Sequence, residues 1–182
     1  MIHDNFRKLI RRYWGANSGT SGNPLIYDYV DISGYVGTDA DTGALYISYR
    51  TFANYNVNNY TLAQIHALGS GNLLYYIAIG NSTENEPNYN LGETLDNGLL
   101  FTTSSTKADA LLCTTSITNT TSQDMTFNEV GMFYHIQGGK WHGVSSAAFD
   151  ILLIKETLDA PAVLPANSTI SITFNLLGTP SS

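Results

Sequence analysis

The chain has 182 residues, of which 43% are hydrophobic and only 13% are charged, and its formal net charge is −7. This length allows a substantial core in one domain, because all-β domains often reach this size undivided. Its longest apolar stretches, such as residues 73–79, are much shorter than the roughly 20 residues that span a bilayer, so the composition excludes a membrane segment.

The N-terminal segment is basic and amphipathic. Four of the eight basic residues lie within positions 7–12, apolar residues recur at three- and four-residue spacing, and Asp4 or Asn5 is suited to cap a helix. This pattern predicts a short basic helix, followed by a flexible linker rich in Gly and Ser. Residues 1–22 therefore form an arm and linker, and residues 23–182 form the main domain. Because an isolated helix of about ten residues is marginal in water, the arm is expected to bind a partner. The side chains predicted to bind it are Phe6, Arg7, Lys8, Ile10, Arg11, Arg12, Tyr13 and Trp14.

Four surfaces compete as the partner of this arm: the acidic body of the chain itself, another subunit of an assembly, a membrane surface and nucleic acid. Four basic residues are too few for nucleic acid to be the main target. The same four charges interrupt any apolar core of signal-peptide length, so we expect synthesis in the cytoplasm. Neither a membrane nor a specific nucleic acid is predicted as a partner.

The middle of the chain is organised by turns. Residues 24–32, 44–49 and 73–79 have the composition of strands, and residues 61–68 predict a short helix that Gly69 ends. Asp31, Asp39 and Asp41 flank a Gly-rich loop, but their spacing does not follow the helix-flanked calcium loop and no bidentate Glu closes it. We therefore predict no metal and no cofactor.

The second half of the chain alternates between apolar and polar residues in successive segments. Residues 111–117 alternate, residues 125–136 follow after a turn at 119–124, and residues 148–154 form an apolar run. Ile170, Ile172, Phe174 and Leu176 recur at every second position, as on one face of a strand. The single cysteine, Cys113, is predicted to be a small buried hydrophobe. Pro161 and Pro165 predict that residues 157–167 stay outside any strand ladder and cross between sheets.

These segments predict a mainly β fold, an antiparallel β-sandwich of Greek-key or jelly-roll type, with a short helix near residues 60–68 and the helical arm. No acid, base and nucleophile set is recognisable, so the sequence predicts a protein that is not an enzyme. Glu84 and Glu86 lie in a turn that exposes them to solvent. His135 and His142 would approach each other if residues 133–141 formed a hairpin, but they are expected to be ordinary loop residues.

Four segments resemble motifs of structural proteins from tailed-bacteriophage virions. Residues 77–91 (IAIGNSTENEPNYNL) are similar to a strand followed by an Ile-Gly-X-Gly/Asn-X-X-X-Pro turn, and residues 127–133 (FNEVGMF) to an E-(I/V)-G-(L/M)-F strand. Residues 151–158 (ILLIKETL) resemble an L-(I/A)-x-(R/K)-(D/E)-x-L strand, and residues 165–174 (PANSTISITF) a closing P-x-(G/N)-x-(S/T)-I-x-(I/V) turn and strand. Asn81 and Asn167 stand where Gly is common in these motifs.

The motif residues Glu129, Gly131 and Phe133 carry structural expectations. An inward-facing Glu129 needs a buried partner such as Lys155 or a free backbone N–H, whereas an outward-facing one needs none. Gly131 permits a bulge or a close approach of the backbone.

The resemblance implies a structural component of a bacteriophage virion at a head, neck or tail attachment point, such as a head fibre or decoration protein. It would be oligomeric, bind copies of itself and other virion proteins, and reside in the virion. The alternative is a carbohydrate- or receptor-binding module, with Trp141 as a ligand platform and a glycan on the host surface as its ligand.

Overall fold

The computed structural model describes residues 2, 6–7, 29–34, 36–37, 55–68, 74–106, 112–137, 140–141, 144–145 and 148–175. The helix α1 spans Leu62–His66. The strands are β1 (Tyr29–Val30), β2 (Val36–Gly37), β3 (Tyr55–Tyr60), β4 (Leu74–Asn81), β5 (Glu93–Thr94), β6 (Leu99–Thr106), β7 (Leu112–Asn119), β8 (Met125–Gln137), β9 (Lys140–Trp141), β10 (Val144–Ser145), β11 (Ala148–Leu164) and β12 (Thr169–Asn175).

Two four-stranded antiparallel sheets make up the body of the protein. The first sheet has the order β11-β8-β4-β5, and the second has the order β12-β7-β6-β3. Two short antiparallel pairs, β1 with β2 and β9 with β10, lie outside them. The mainly β, antiparallel sandwich is therefore confirmed, and its Greek-key or jelly-roll order stays a prediction. Within the described ranges, no helix has both the length and the apolar character that a bilayer span requires.

The alternating sequence segments form strands as predicted. Along β7, Cys113, Thr115 and Ile117 are buried, while the residues between them are half-exposed. Because successive side chains of a strand point to opposite faces, this alternation places one face of the second sheet in the core. The same alternation puts Ile170 and Ile172 of β12 on the inner side.

The prediction that residues 157–167 lie outside any ladder is wrong. Strand β11 pairs with β8 as far as Leu164, and the register shifts between Thr157 and Ala162. Pro161 lies within this irregular segment. Because the segment makes no ladder pairs, the missing N–H of Pro161 interrupts no ladder hydrogen bond, and pairing resumes at Ala162. The crossover to the second sheet is only the short turn at residues 165–168.

Helix α1 begins where the sequence predicts, at a capping box. The Thr61 side chain accepts a hydrogen bond from the Gln64 N–H, and the Gln64 side chain accepts one from the Thr61 N–H. Leu62 and Ile65 are buried, so the helix packs its apolar side against the body.

The two sheets share one core that includes a buried polar contact. Tyr75 of β4 stacks on Tyr134 of β8, with ring centroids 4.7 Å apart. The Ile77 N–H of the first sheet donates to the hydroxyl of Thr115 in the second sheet at 3.0 Å, and Thr115 also bonds the hydroxyl of Thr103 at 2.7 Å. A backbone group that would otherwise be unpaired in the core is thus satisfied by a buried threonine.

One asparagine links the two turns at the end of the sandwich, residues 120–124 between β7 and β8 and residues 165–168 between β11 and β12. Asn119 is fully buried, and its side-chain amide donates to the carbonyl oxygens of Gln123, Leu164 and Pro165. In the second of these turns Asn167 has a φ of 53°. This left-handed conformation is tolerated by Gly and Asn, which explains the residue type at that place in the fourth motif.

Candidate functional site

The outer face of the first sheet is covered and carries the buried ionisable side chains Glu129, His135 and Asp150. Strand β4 is buried on both sides, because its residues from Leu74 to Gly80 face the second sheet on one side and a cover of α1, Ile32 and the β4–β5 loop on the other. Two pairs of polar side chains lie under this cover, Glu129 with Lys155 and His135 with Asp150. We call this region the covered face.

Glu129 is fully buried and pairs with Lys155. The Lys155 Nζ lies 2.9 Å from the Glu129 Oε1, and the Gly92 N–H donates to the Glu129 Oε2 at 2.8 Å. Glu129 is thus buried under the cover, and it has both kinds of partner named from the sequence, a lysine and a backbone N–H. A buried carboxylate without such partners would carry a large desolvation penalty.

The same lysine also contacts the loop between β4 and β5, residues 82–92, and holds it in place. Lys155 Nζ lies 3.1 Å from the Glu86 Oε1 and donates to the Asn90 carbonyl at 3.1 Å. The Thr83 N–H donates to the Glu86 Oε2 at 3.1 Å, which closes the loop on itself. We call Glu86, Glu129 and Lys155 the charge lock. It fixes the position of a loop whose tip, including Glu84, is exposed.

The charge lock shifts the pKa of Glu86. Burial raises this pKa, but hydrogen bonds from Lys155, the Thr83 N–H and Ser82 lower it by more, so that the net shift is downward. The side chain is 27% exposed, so solvent screens part of this stabilisation. The sequence-based expectation that Glu86 is solvent-exposed is thus only partly right.

Gly131 lies where the loop meets the sheet. A Cβ at this position would lie 2.8 Å from the Phe133 ring and 2.9 Å from the Leu91 Cδ2. Of the two alternatives predicted for Gly131, a close approach of the backbone is the one observed. The nearby register shift lies in the opposite strand, at Leu153 of β11, and not at Gly131. Phe133 is buried and stacks on Tyr76 with ring centroids 5.3 Å apart. The three motif residues Glu129, Gly131 and Phe133 therefore lie side by side on the covered face, beneath the β4–β5 loop.

The second buried pair links His135 to Asp150. The His135 Nδ1 lies 3.1 Å from the Asp150 Oδ1, and its Nε2 lies 3.4 Å from the Leu68 carbonyl oxygen. The expectation that His135 is an ordinary loop residue is wrong, because it lies in β8 between β4 and β11 and is fully buried. His142 lies outside the described residues.

Tyr76 and His66 extend this network toward solvent. The His66 Nε2 lies 3.1 Å from the Tyr76 hydroxyl and 4.0 Å from the Asp150 Oδ2, and the His66 side chain is 37% exposed. Burial, and then the charge of Asp150 and a hydrogen bond to it, raise the pKa of Tyr76 well above its ordinary value. Tyr76 therefore stays protonated at neutral pH.

A cavity of about 270 Å³ opens beside this network. Its walls are α1, β4 and the residues around Ile32, with apolar groups such as Phe133 and polar groups such as His66, Asn90 and Asp96. This volume is just below the range of about 300 to 1,000 Å³ that is usual for pockets of drug-sized ligands. Among the described residues, no group of three or more His, Cys, Asp or Glu is arranged to hold a metal ion.

Two described residues of the arm contact the body of the same chain. Phe6 is half-buried against the core, and Ile2 forms an isolated bridge with Ile154 of β11. Arg7 is exposed. The other residues predicted to bind a partner lie outside the described ranges: Lys8, Ile10, Arg11, Arg12, Tyr13 and Trp14.

The remaining candidate residues have mostly local roles. Asp31 is buried, and its carboxylate accepts hydrogen bonds from the Ser33 N–H at 2.9 Å and the Ser33 hydroxyl at 2.6 Å. Asp39 and Asp41 lie outside the described residues. Trp141 lies on β9, and its role as a ligand platform stays a prediction.

Sequence reasoning missed Asp150, Tyr76 and His66 as members of one network. One signal was present, because Asp150 is the only charged residue in the apolar run 147–154. A lone carboxylate in a buried strand requires a hydrogen-bonding partner nearby. The identity of that partner depends on the β8–β11 pairing, which places His135 opposite Asp150.

Comparisons with known proteins return no match. No protein-family model matches the chain. No curated protein and no solved structure matches it either.

Proposed function

We propose that this protein is a structural component of a tailed-bacteriophage virion, at a head, neck or tail attachment point, and that it works through protein contacts rather than catalysis. The proposal comes from the order of the four motifs along the chain. Its strongest support is that three of these motifs meet in the charge lock. Glu86 belongs to the first motif, Glu129 to the second and Lys155 to the third.

The charge lock gives these motifs a common physical purpose. A loop of eleven residues would ordinarily be mobile, but residues 82–92 are tied down by Lys155, by Glu129 and by the buried side chain of Leu91. Asn128 makes a fourth contact with the loop, because its side-chain oxygen accepts a hydrogen bond from the Ser82 N–H at 2.7 Å. A rigid exposed loop presents a fixed surface to a neighbouring subunit at little entropic cost, as an assembly protein requires.

The low charge of the chain agrees with this role. Only 13% of its residues are charged, where about 25% is usual, and surfaces that meet other subunits are depleted in charge. In the proposed particle the basic arm contacts a neighbouring subunit. The bridge between Ile2 and Ile154 places the start of that arm beside β11.

Mass spectrometry of purified virions tests the proposal, together with negative-stain imaging of the recombinant protein. We expect the protein in particles at a constant ratio to the major capsid protein through successive purification steps. Its absence from particles, or its loss on a density gradient, would refute the virion role.

The cavity beside His66 favours a second candidate, a carbohydrate- or receptor-binding module. Polar groups of Asn90 and Asp96 beside an apolar wall are typical of sites for small polar ligands. Glycan-array binding by the purified protein tests it. Ala63 lines the cavity and is exposed on α1, so Ala63→Trp should abolish binding, whereas Ala67→Trp, exposed but not lining the cavity, should leave it unchanged. Equal binding by both variants would exclude this cavity as the ligand site.

A further inference from the structure

The four outer strands of the two sheets differ in how their free edges are protected. Strand β5 is two residues long. Strand β3 has a register shift between Val57 and Tyr60, where Asn59 takes a φ of 55°. Strand β11 has two register shifts, carries charged residues and Pro161, and is bridged by Ile2 and Asp31. Short length, bulges, charge, proline and covering segments are the usual means by which proteins prevent edge-to-edge pairing.

Strand β12 shows none of these features in the part of the chain that the structure describes. Its seven residues, TISITFN, contain no charge and no proline, and it pairs with β7 through seven consecutive residues without a shift. Among the described residues, no strand pairs with its far side. Its inward side chains Ile170, Ile172 and Phe174 are only half-buried, whereas the inward residues of the adjacent β7 are fully buried. Among the described residues on the inner face of this sheet, those of β12 are therefore among the least buried apolar side chains.

The hydrogen-bond phase of β12 shows which backbone groups face outward. The Asn119 N–H donates to the Ser168 carbonyl at 2.9 Å, so these two residues form a hydrogen-bonded pair of the antiparallel ladder. Alternation then makes Thr169, Ser171 and Thr173 members of non-hydrogen-bonded pairs, whose N–H and C=O groups point away from β7. Their hydroxyls bond those of the opposite β7 residues at 2.7 to 2.9 Å, as the closer approach of such pairs allows.

The sequence of β12 is self-complementary when two copies run antiparallel. Residues 169–173 read TISIT, which is the same in both directions about Ser171. In such a pair Ser171 faces Ser171 of the second copy, Thr169 faces Thr173, and Ile170 faces Ile172. Hydroxyls thus meet hydroxyls on the outer face, as they already do between β12 and β7, and isoleucines meet isoleucines on the inner face.

We propose that β12 pairs with β12 of a second copy of this chain, antiparallel about Ser171, so that the second sheets of two molecules join into one continuous sheet. Three residue pairs would each exchange two backbone hydrogen bonds, and the half-exposed Ile170 and Ile172 would cover those of the partner. The two-fold pairing uses both free edges, so the assembly closes at a dimer and does not propagate. Two molecules that each carry a net charge of −7 meet here across an uncharged strand, which minimises their repulsion.

Sedimentation of the purified full-length chain between about 1 µM and about 1 mM tests the pairing. The wild type should pass from monomer to dimer with concentration. Ser171→Lys places two lysines opposite each other at the two-fold axis and should weaken the dimer at least about tenfold. Ser104→Lys adds the same charge to an exposed position of the same sheet, on β6 and away from the edge, and should dimerise like the wild type.

A charge swap then tests the register. Ser171→Asp alone should weaken the dimer in the same way. An equimolar mixture with Ser171→Lys should form a heterodimer, because only the pairing about Ser171 sets residue 171 against itself. A wild type that stays monomeric at all concentrations, equal dimerisation of the two lysine variants, or a mixture that fails to associate would each overturn the proposal. The pairing does not depend on a role in the virion, since self-association and presence in particles are measured separately.

Discussion

Removal of the cation from the charge lock should destabilise the protein strongly. Lys155→Met leaves the fully buried Glu129 with the Gly92 N–H as its remaining partner among those described above. Breaking a buried ion pair from one side costs about 3 to 5 kcal/mol, because a charge stays buried without compensation. Since domains are stable by only about 5 to 15 kcal/mol, this loss is a large part of the free energy of unfolding.

The reverse substitution should cost less, and this asymmetry comes from the geometry. In Glu129→Gln, Lys155 keeps Glu86 at 3.1 Å and the Asn90 carbonyl at 3.1 Å, and its side chain is 15% exposed. We expect a loss of about 1 to 3 kcal/mol, typical of a weakened buried hydrogen bond. The double variant should be more stable than the sum of the two single losses predicts, because it leaves no uncompensated charge.

Urea unfolding measures these differences through the midpoint and the slope. Asp159→Asn, an exposed position of the same strand, is the matched control and should change stability by less than about 0.5 kcal/mol. A loss below about 1 kcal/mol for Lys155→Met, or strictly additive effects in the double variant, would refute the interpretation of the lock as a coupled buried pair.

Three further predictions concern other positions. Gly131→Ala should cost about 1 to 3 kcal/mol by overpacking, since its Cβ would lie under 3 Å from Leu91 and Phe133; an unchanged urea midpoint would contradict this. Burial raises the pKa of Cys113 to about 12, so a thiol reagent at pH 8 should label it only as the protein unfolds, and immediate labelling of native protein would count against a buried thiol. Because the folded-state pKa of Glu86 is lowered, its stabilisation is present above the ordinary value of 4.5 and is lost as pH falls through the folded pKa. In Glu86→Gln, the melting temperature should therefore fall less steeply than in the wild type as the pH drops below about 4.5. Parallel profiles for the variant and the wild type would refute this role of Glu86.

Truncation of residues 1–20 tests the contacts of the arm. Removal of Phe6, which is half-buried against the core, and of Ile2, which bridges β11, should lower the melting temperature. An unchanged oligomer with a lower melting temperature would indicate that the arm belongs to the body of its own chain. Loss of assembly at an unchanged melting temperature would instead assign it to a neighbouring subunit.

The sequence by itself determined the local features of this fold. Alternation predicted which side chains of β7 and β12 face inward, and the pattern at 61–68 predicted α1. The need of an inward Glu129 for Lys155 or a backbone N–H also followed from residue chemistry alone. The alternation and the helix pattern depend on neighbours within a few residues, where the period of a strand or helix directly sets side-chain direction. The partners of Glu129 are distant in sequence, and only the chemistry of a buried carboxylate indicated them.

Only the tertiary structure decided which distant residues meet. The continuation of β11 past Pro161 depends on a register shift against β8, and the pairing of β11 with β8 places Asp150 opposite His135. Register sets such partners, and register is determined by the packing of whole sheets, so no short segment of sequence specifies it. The position of the β4–β5 loop, the buried histidine and the place of β12 at the edge of the described second sheet all follow from that packing.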